Sequence, residues 1–231
     1  MDAPRLAGFE RRPDRLGSMF SAISWRYDFL NALMSLGQDG AWRRELAASI
    51  PAGARVLDLC CNSGGFGIYA KTLGGAGEVV GVDLDEDILQ IAEQNARLNK
   101  VKVRFIQADL FAWLRDVAVN NRNAEDKRFD VVILDPAKMT RDREQVIPAL
   151  KKYLDMNKLA LAAVKPGGIL LSCSCTGLVS EEQFLDMLRR AAFYANRTIQ
   201  VIKVTGAGAD HPWLAHVPES RYLKAAFCRV E

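Results

Sequence analysis

Acidic and thiol side chains recur where short apolar runs of this sequence end. Five such positions stand out in chain order, namely Asp58, Asp83, Asp109, Asp135 and Cys175. Carboxylates accept hydrogen bonds from hydroxyl, amino and ring N–H groups, and a cysteine becomes a nucleophile when its thiolate is favoured. If the apolar runs are parallel strands, their carboxyl ends share one rim of a sheet, where ligands bind.

A turn with two adjacent glycines follows Asp58 and contains Ser63, Gly64, Gly65 and Phe66. The glycines allow the backbone to approach a ligand closely, and Asp58 could orient the turn or accept from an amine. The turn lacks the G-x-G-x-x-G pattern of dinucleotide-binding folds. A strand-to-helix turn that simply needs small residues is the alternative interpretation.

Asp83 and Asp109 end the next two runs. Asp83 could accept from both hydroxyls of a ribose, since a carboxylate offers two oxygens at the spacing of a diol. Asp85 can cap the following helix, which in this interpretation leaves Asp83 free for a ligand. Asp109 could bond an adenine amino group, cap the next helix, or do both.

These acids together favour S-adenosylmethionine (SAM) as the cofactor. SAM contains a ribose and an adenine without a phosphate, and its sulfonium is a cation that suits a carboxylate-rich rim. A dehydrogenase would need the glycine fingerprint for pyrophosphate, and a P-loop enzyme would need G-K-[ST]. The sequence contains neither pattern.

The fourth and fifth runs end on groups that could meet a substrate. Asp135 would lie beside the methyl donor, where it could bond a substrate amino group or ring N–H. Pro136 fixes the shape of the turn, and Lys138 could contact a phosphate or be a solvated surface lysine. Cys175 could be a nucleophile or a small buried residue, whereas Cys173, in mid-strand, is expected in the core.

The elements that must position these residues alternate between strand and helix from residue 55 onward. This alternation predicts an α/β fold, a Rossmann-like and mostly parallel sheet of seven strands with helices on both faces. The last two strands are joined only by a loop, which adds one antiparallel strand. The predicted strands span 56–60, 78–83, 101–107, 129–135, 169–173, 199–205 and 222–230. The predicted helices span 85–100, 110–119, 146–164 and 180–195.

The first 53 residues differ in character from the rest of the chain. Residues 1–17 are polar and are predicted to form a mobile tail, whose arginines could touch a polyanion or be solvated. Residues 18–53 are predicted to form N-terminal helices, over 18–36 and 41–50. Residues 54–231 are predicted to form a single domain.

Composition limits the class of protein. The chain has 231 residues, 49% hydrophobic and 26% charged, which is ordinary for one globular domain. A net charge of +3 means that a nucleic-acid partner would need a local basic patch. No apolar run is long enough to span a membrane, and no secretion signal is recognisable. The five cysteines form no disulfide or metal-binding pattern, so we expect a cytoplasmic protein without a metal.

From residue 55 to the C-terminus, the ordered motifs resemble the SAM-dependent 23S rRNA 5-methylcytosine methyltransferases of the RlmI type. The matching segments are VLDLCCNSGGF (56–66), VVGVDLDEDILQIAEQNARLN (79–99), FDVVILDPAK (129–138), YLDMN (153–157), GGILLSCSCTGL (167–178), ADHP (209–212) and PESRYLK (218–224). The resemblance implies a class I methyltransferase fold, SAM as the cofactor and RNA, specifically rRNA, as the substrate.

The functional residues of that family carry over position by position. Pro136 and Lys138 match substrate-contacting positions of its D-P-P-K element, in which Ala137 here replaces the second proline. Cys175 matches the nucleophilic cysteine of the family. The positions that match its cofactor site are Asp58, Ser63, Gly64, Gly65, Phe66, Asp83, Asp109 and Asp135.

The resemblance also implies a mechanism. The thiolate of Cys175 would add to carbon-6 of a cytosine, so that carbon-5 becomes nucleophilic enough to attack the methyl donor. Asp135 would hold the base through its nitrogen-3 or its amino group. The base must leave its stack to reach such a pocket, so a single-stranded or loosened RNA site is expected.

The first 50 residues depart from that family, because its RNA-binding PUA domain and its β-hairpin segment are not visible. Residues 19–46 instead resemble the opening helices of the UbiE/MenG quinone C-methyltransferases, which lie against the SAM site as a lid. A small quinone-like ring is therefore the alternative substrate. A protein that binds SAM or RNA without turnover is a third interpretation, and the oligomeric state stays open.

Overall fold

The computed structural model describes residues 46–120, 128–208 and 211–231. The predicted tail over 1–17, the predicted helix over 18–36 and most of the predicted helix over 41–50 lie outside these residues. Residues 46–49 are helical, in agreement with the end of the second predicted helix. None of the helices in the described ranges is both long and apolar enough to cross a membrane.

Seven strands form one sheet in the order β3-β2-β1-β4-β5-β7-β6. The pairings among the first five of these strands are parallel, whereas β7 runs antiparallel to both β5 and β6. The seven-stranded, mostly parallel sheet with one antiparallel strand is therefore confirmed. The strands are β1 (Arg55–Leu59), β2 (Glu78–Asp83), β3 (Arg104–Gln107), β4 (Phe129–Leu134), β5 (Val164–Ser174), β6 (Ile199–Thr205) and β7 (Lys224–Val230).

Within the described residues, the strands are connected by five helices: α1 (Gly65–Thr72), α2 (Glu86–Leu98), α3 (Leu110–Asn120), α4 (Val146–Ala163) and α5 (Glu181–Tyr194). Two short 3-10 helices, Arg143–Gln145 and Pro218–Ser220, lie in the connections. Asp85 caps α2 by accepting from the N–H groups of its first turn, as predicted. Ser180 and Gln183 form a reciprocal capping box at the start of α5. Both predicted helix starts are confirmed.

Hydrophobic clusters cover both faces of the sheet, because successive side chains of a strand point to opposite faces. In β4, Val132 and Leu134 belong to the cluster under α3, α4 and α5. Val131 and Ile133 belong to the other cluster, which includes Leu46 before the sheet. All four are fully buried, so β4 is central and its end is held rigidly from both sides.

The start of β5 is the main difference from the predicted elements. The predicted strand begins at residue 169, but β5 already pairs with β4 at Val164. Phe129 faces Val164 and Val131 faces Ile169, so the pairing shifts register and absorbs the extra residues in a bulge. β3 and β7 begin later than predicted, at Arg104 and Lys224.

Phe105 of β3 packs beneath two glycines that shape the rim. A Cβ at Gly81, in the middle of β2, would lie 2.7 Å from Cδ1 of Phe105 and 3.0 Å from Sγ of Cys61. Gly64 has a φ of +82° and would also meet the ring, at 2.9 Å from Cζ. Glycine is therefore needed at both places for the turn after β1 to pack against β2 and β3.

Gly81→Ala tests this packing. The added methyl group has no room, so we expect a loss of about 1–3 kcal/mol in the free energy of unfolding. Gly206→Ala is the matched control, because its Cβ would make only an ordinary contact of 3.5 Å with the carbonyl of Leu223. Urea denaturation followed by circular dichroism measures the free energy of unfolding of both variants. Equal stability of the two would contradict the claim that Phe105 and Cys61 leave no room for a methyl group at residue 81.

Candidate functional site

The carboxyl ends of the parallel strands bring the predicted site residues to one rim. Asp83 is the last residue of β2, Asp135 directly follows β4, and Cys175 directly follows β5. β4 lies between β1 and β5 in the sheet, so the chain at Asp135 adjoins the ends of both neighbours. The backbone N–H of Asp135 donates to the carbonyl of Leu59, at the end of β1.

The turn after β1 is fixed by Asp83. Its Oδ2 accepts from the backbone N–H of Asn62 at 2.9 Å, and its Oδ1 accepts from that of Asp85 at 3.2 Å. Asp85 caps α2 as predicted, but Asp83 is not without partners, because it accepts from these two backbone N–H groups. A carboxylate oxygen has two lone pairs, so each oxygen can still accept from a ligand hydroxyl. Cys60 and Asn62 have positive φ values of 60° and 48°, so this turn is sharply bent.

Asp58, in β1, orients the same turn from within the protein. It is buried, and its Oδ2 accepts from the backbone N–H of Gly67 at 3.0 Å, in the first turn of α1. Gly64 caps α1 in the left-handed conformation. Asp58 thus adopts the first of the two roles expected for it, and the segment from Ser63 to Phe66 is held at the rim between β1 and α1.

Asp109 caps α3. Its Oδ1 accepts from the backbone N–H of Ala112 at 2.9 Å, and its side chain is exposed. The capping alternative is correct, and the exposed carboxylate keeps acceptor capacity at the rim.

Cys175 and Asp135 lie at neighbouring strand tips. Both are half-buried, and Sγ of Cys175 lies 3.7 Å from the carbonyl oxygen of Pro136, to which it donates. Lys138, two residues further, is exposed. Cys173 is fully buried in the cluster that contains Leu171, so its predicted place in the core is confirmed.

Charges around Cys175 oppose one another. Burial raises the pKa of Cys175, and the carboxylate of Asp135 raises it further, whereas the cations of Lys224 and Lys138 lower it. The net result is a pKa above the ordinary value, so the thiol is protonated at neutral pH. Burial, followed by the charges of Asp83, Asp135 and Asp58, also raises the pKa of Cys60 to about 12.

A polar network that the sequence interpretation did not identify ties the two strand tips together. The Tyr153 hydroxyl, from α4, lies 2.9 Å from Oγ1 of Thr176, which also accepts from the backbone N–H of Met139 at 3.1 Å. One turn along α4, Asn157 Oδ1 accepts from the Ser172 hydroxyl at 2.7 Å. The available signal was the spacing of Tyr153 and Asn157, four residues apart, which places two polar side chains on the otherwise apolar buried face of α4.

Lys224 was also missed. Its side chain is buried, and its Nζ donates to the carbonyl oxygens of Thr176, Val179 and Tyr222 at 2.7, 2.6 and 3.0 Å. The available signal was a lysine that opens the apolar strand β7, where charged residues are rare unless their hydrogen bonds are satisfied. Lys224 therefore lies directly under the turn that follows Cys175.

Comparison with known proteins gives the family context. A family model described as "Methyltransferase domain" matches residues 50–217. The chain is 41% identical to "Ribosomal RNA large subunit methyltransferase I" from Aeromonas hydrophila, over 81% of this chain and 46% of that protein. It is 39% identical to the protein of the same name from Tolumonas auensis, over the same shares. The chain spans about half the length of these relatives, and the resemblance to the RlmI type is confirmed.

Solved structures share the fold. A protein described as a methyltransferase complexed with SAH, SMU.776, has a TM-score of 0.70 and 19% identity, over 83% of this chain and 49% of that chain. A SAM-dependent methyltransferase from Streptococcus mutans has a TM-score of 0.68 and 19% identity, over 82% and 48%. The predicted Rossmann-like methyltransferase fold is confirmed. The likeness of residues 19–46 to quinone methyltransferases stays a prediction, because residues 19–45 lie outside the described part of the chain.

Asp135→Asn tests the electrostatics of the rim. Removing this carboxylate removes a charge that disfavours the thiolate, so we expect iodoacetamide to alkylate Cys175 several-fold faster at pH 7.5 in the protein without ligands. The rate is followed by mass spectrometry of the peptide that contains Cys175. Asp130→Asn, at the opposite end of β4, is the control and should leave the rate unchanged. If Asp135→Asn does not increase the alkylation rate of Cys175, the claim that the Asp135 carboxylate disfavours the thiolate is contradicted.

Proposed function

Because the chain belongs to the methyltransferase domain family, we propose that it is a SAM-dependent methyltransferase acting on carbon-5 of a cytosine in rRNA. The observation that carries the proposal is the placement of the Cys175 thiol beside the Asp135–Pro136 segment, at the tips of β5 and β4. Support for the substrate class comes from the relatives, which are named ribosomal RNA methyltransferases and are about 40% identical to this chain.

The rim fits SAM. Burial raises the pKa of Cys60 most, and the carboxylates of Asp83, Asp135 and Asp58 raise it further, so negative charge converges on the turn after β1. A sulfonium cation is favoured in such a field. Asp83 retains acceptor capacity for a ribose, and Gly64 and Gly65 let the backbone approach a ligand.

The residues proposed to hold the cofactor are therefore Asp58, Ser63, Gly64, Gly65, Phe66, Asp83, Asp109 and Asp135. Asp58 would act through the turn that it orients, because its Oδ2 is already bonded to the backbone N–H of Gly67. When bound, SAM supplies an electrophilic methyl group.

Cys175 is the proposed nucleophile. Its thiolate adds to carbon-6 of the cytosine, which places electron density on carbon-5 and makes that atom nucleophilic toward a methyl electrophile. Loss of the proton from carbon-5 and departure of the Cys175 thiolate then restore the aromatic ring. The half-buried position suits both steps, since the thiol is not enclosed in the core and a base can reach it.

Asp135 is proposed to orient the base and to control when the thiolate forms. In the protein without substrate, its carboxylate raises the pKa of Cys175. When the carboxylate accepts a hydrogen bond from the cytosine amino group, part of its charge is compensated. The thiolate is then less disfavoured, so Cys175 ionises most readily when a base is in place.

Pro136 and Lys138 complete the proposed substrate site. The carbonyl of Pro136 holds the thiol in position, and Lys138 is exposed where it could contact a phosphate of the target nucleotide. We also propose a cytoplasmic location, which is supported by five free cysteines, as expected in a reducing compartment.

Incubation with SAM labelled in the methyl group tests the substrate class. The label should appear in total RNA and, after digestion, in 5-methylcytidine. Label confined to a lipid extract would contradict the RNA substrate and favour the quinone-like alternative. Binding of SAM without transfer to either extract would favour a binding protein.

The same assay with two cysteine variants tests the nucleophile. Cys175→Ala should lower kcat by about 10³-fold or more, because the route through the covalent adduct is lost. Cys173→Ala, two residues earlier on the same strand and in the core, should retain the activity. Unchanged methylation by Cys175→Ala would contradict the proposed chemistry.

A further inference from the structure

Lys224 is a cation enclosed in the protein. Its exposed fraction is 2%, and its Nζ donates hydrogen bonds of 2.7, 2.6 and 3.0 Å to three backbone carbonyl oxygens. An ammonium group has three N–H donors, so these contacts use all of them. A neutral amine would have only two donors and would leave one of the three carbonyls without its hydrogen bond.

The three acceptors connect Lys224 to the cysteine at the rim. Thr176 and Val179 belong to the turn between Cys175 and α5, and Tyr222 precedes β7. β7 pairs with β5 so that Lys224 faces Ser174, the residue before Cys175. The lysine therefore lies under the cysteine-bearing turn and fastens two points of that turn to the neighbouring strand.

A buried cation at this place needs a reason beyond packing. The residues that follow it in β7 are mostly apolar and buried, so an apolar side chain would continue the strand pattern. Burying a charge costs free energy, and carbonyl contacts compensate for that cost without adding stability of their own. The adjacent Cys175 supplies such a reason, because burial and the carboxylate of Asp135 disfavour its thiolate and a nearby cation would favour it.

We propose that Lys224 is a positioning residue for Cys175, which fixes the turn after the cysteine and stabilises its thiolate by positive charge. The proposal rests on the proposed function only in that it treats Cys175 as the nucleophile. The ionisation of this thiol can be measured without RNA or SAM, so the two proposals can fail separately.

The other charged groups around this pair do not replace Lys224. Asp135 raises the pKa of Cys175 and Lys138 lowers it, but Lys138 is exposed and therefore screened by water. Around Lys224 itself, Glu181 of α5 is paired with Arg221 at 2.7 Å, so their charges largely cancel. The phenol of Tyr153 also faces the thiol, but burial raises its pKa and it stays neutral.

Lys224 carries its charge at neutral pH. Burial lowers its pKa to about 8, against opposing effects of a Cys175 thiolate and of Glu181. The ammonium is therefore the main form at pH 7. Above about pH 8 the lysine loses its charge and one donor, so the support that it gives the thiolate weakens as pH rises.

The test measures the rate of alkylation of Cys175 by iodoacetamide between pH 6 and 10. Lys224→Gln removes the charge but keeps an amide that can donate two hydrogen bonds. We expect the alkylation of Cys175 at pH 7.5 to slow several-fold, and we expect the difference from the original chain to shrink above about pH 8, where Lys224 loses its charge. Lys165→Gln is the matched control, because Lys165 lies at the end of β5 that is far from Cys175. Its alkylation rate should equal that of the original chain.

Lys224→Met, which has nearly the same shape and suits the apolar strand, is measured in parallel so that the result does not depend on one variant folding. Lys224→Arg restores the charge and should restore part of the alkylation rate. A folded Gln or Met variant with an unchanged pH profile of Cys175, whatever its melting temperature, would overturn the proposal. Full methylation by Cys175→Ala would instead overturn the proposed function and leave the alkylation result standing.

Discussion

The contact between a thiol and a carboxylate-bearing strand tip is the constraint on which the rest of this structure depends. Cys175 must be close enough to Asp135 for both side chains to contact the same substrate ring. The carboxylate, however, opposes ionisation of the thiol. The two tips are held at a fixed spacing by the parallel pairing of β4 and β5 and by the bonds from Tyr153 and Met139 to Thr176. The packed clusters on both faces of the sheet keep β4 and β5 from moving relative to each other.

The electrostatics of the rim reflect two opposing needs. A carboxylate-rich turn suits a sulfonium cofactor, but the same charges add to the larger effect of burial in raising the pKa of the nearby Cys60 thiol. The cysteine proposed as nucleophile follows β5, which is two strands further along the sheet than β1. Cations lie near it, and one of them, Lys224, is held in place by three carbonyl oxygens. The acidic turn after β1 and the lysine-supported turn after β5 are thus about two strand spacings apart.

The sequence predicts the elements well where local signals decide them. The caps Asp85 and Ser180 mark the starts of α2 and α5 correctly, because an N-cap depends on neighbouring residues only. The extension of β5 to Val164 was not predictable, because it depends on pairing with β4 across a bulge. The hydrogen bond from the Asn62 N–H to Asp83 and the contacts of Lys224 likewise join residues far apart in the chain, so no local pattern identifies the partners.

The central claim is that Cys175 forms a covalent bond to cytosine, and trapping that bond tests it most directly. In RNA that contains 5-fluorocytidine, carbon-5 carries no proton to lose, so the thiol cannot depart once the methyl group has been transferred. With SAM present, mass spectrometry should find the methylated nucleotide attached to the peptide that contains Cys175. Methylation of ordinary RNA by the same preparation, with no adduct on that peptide, would contradict the account.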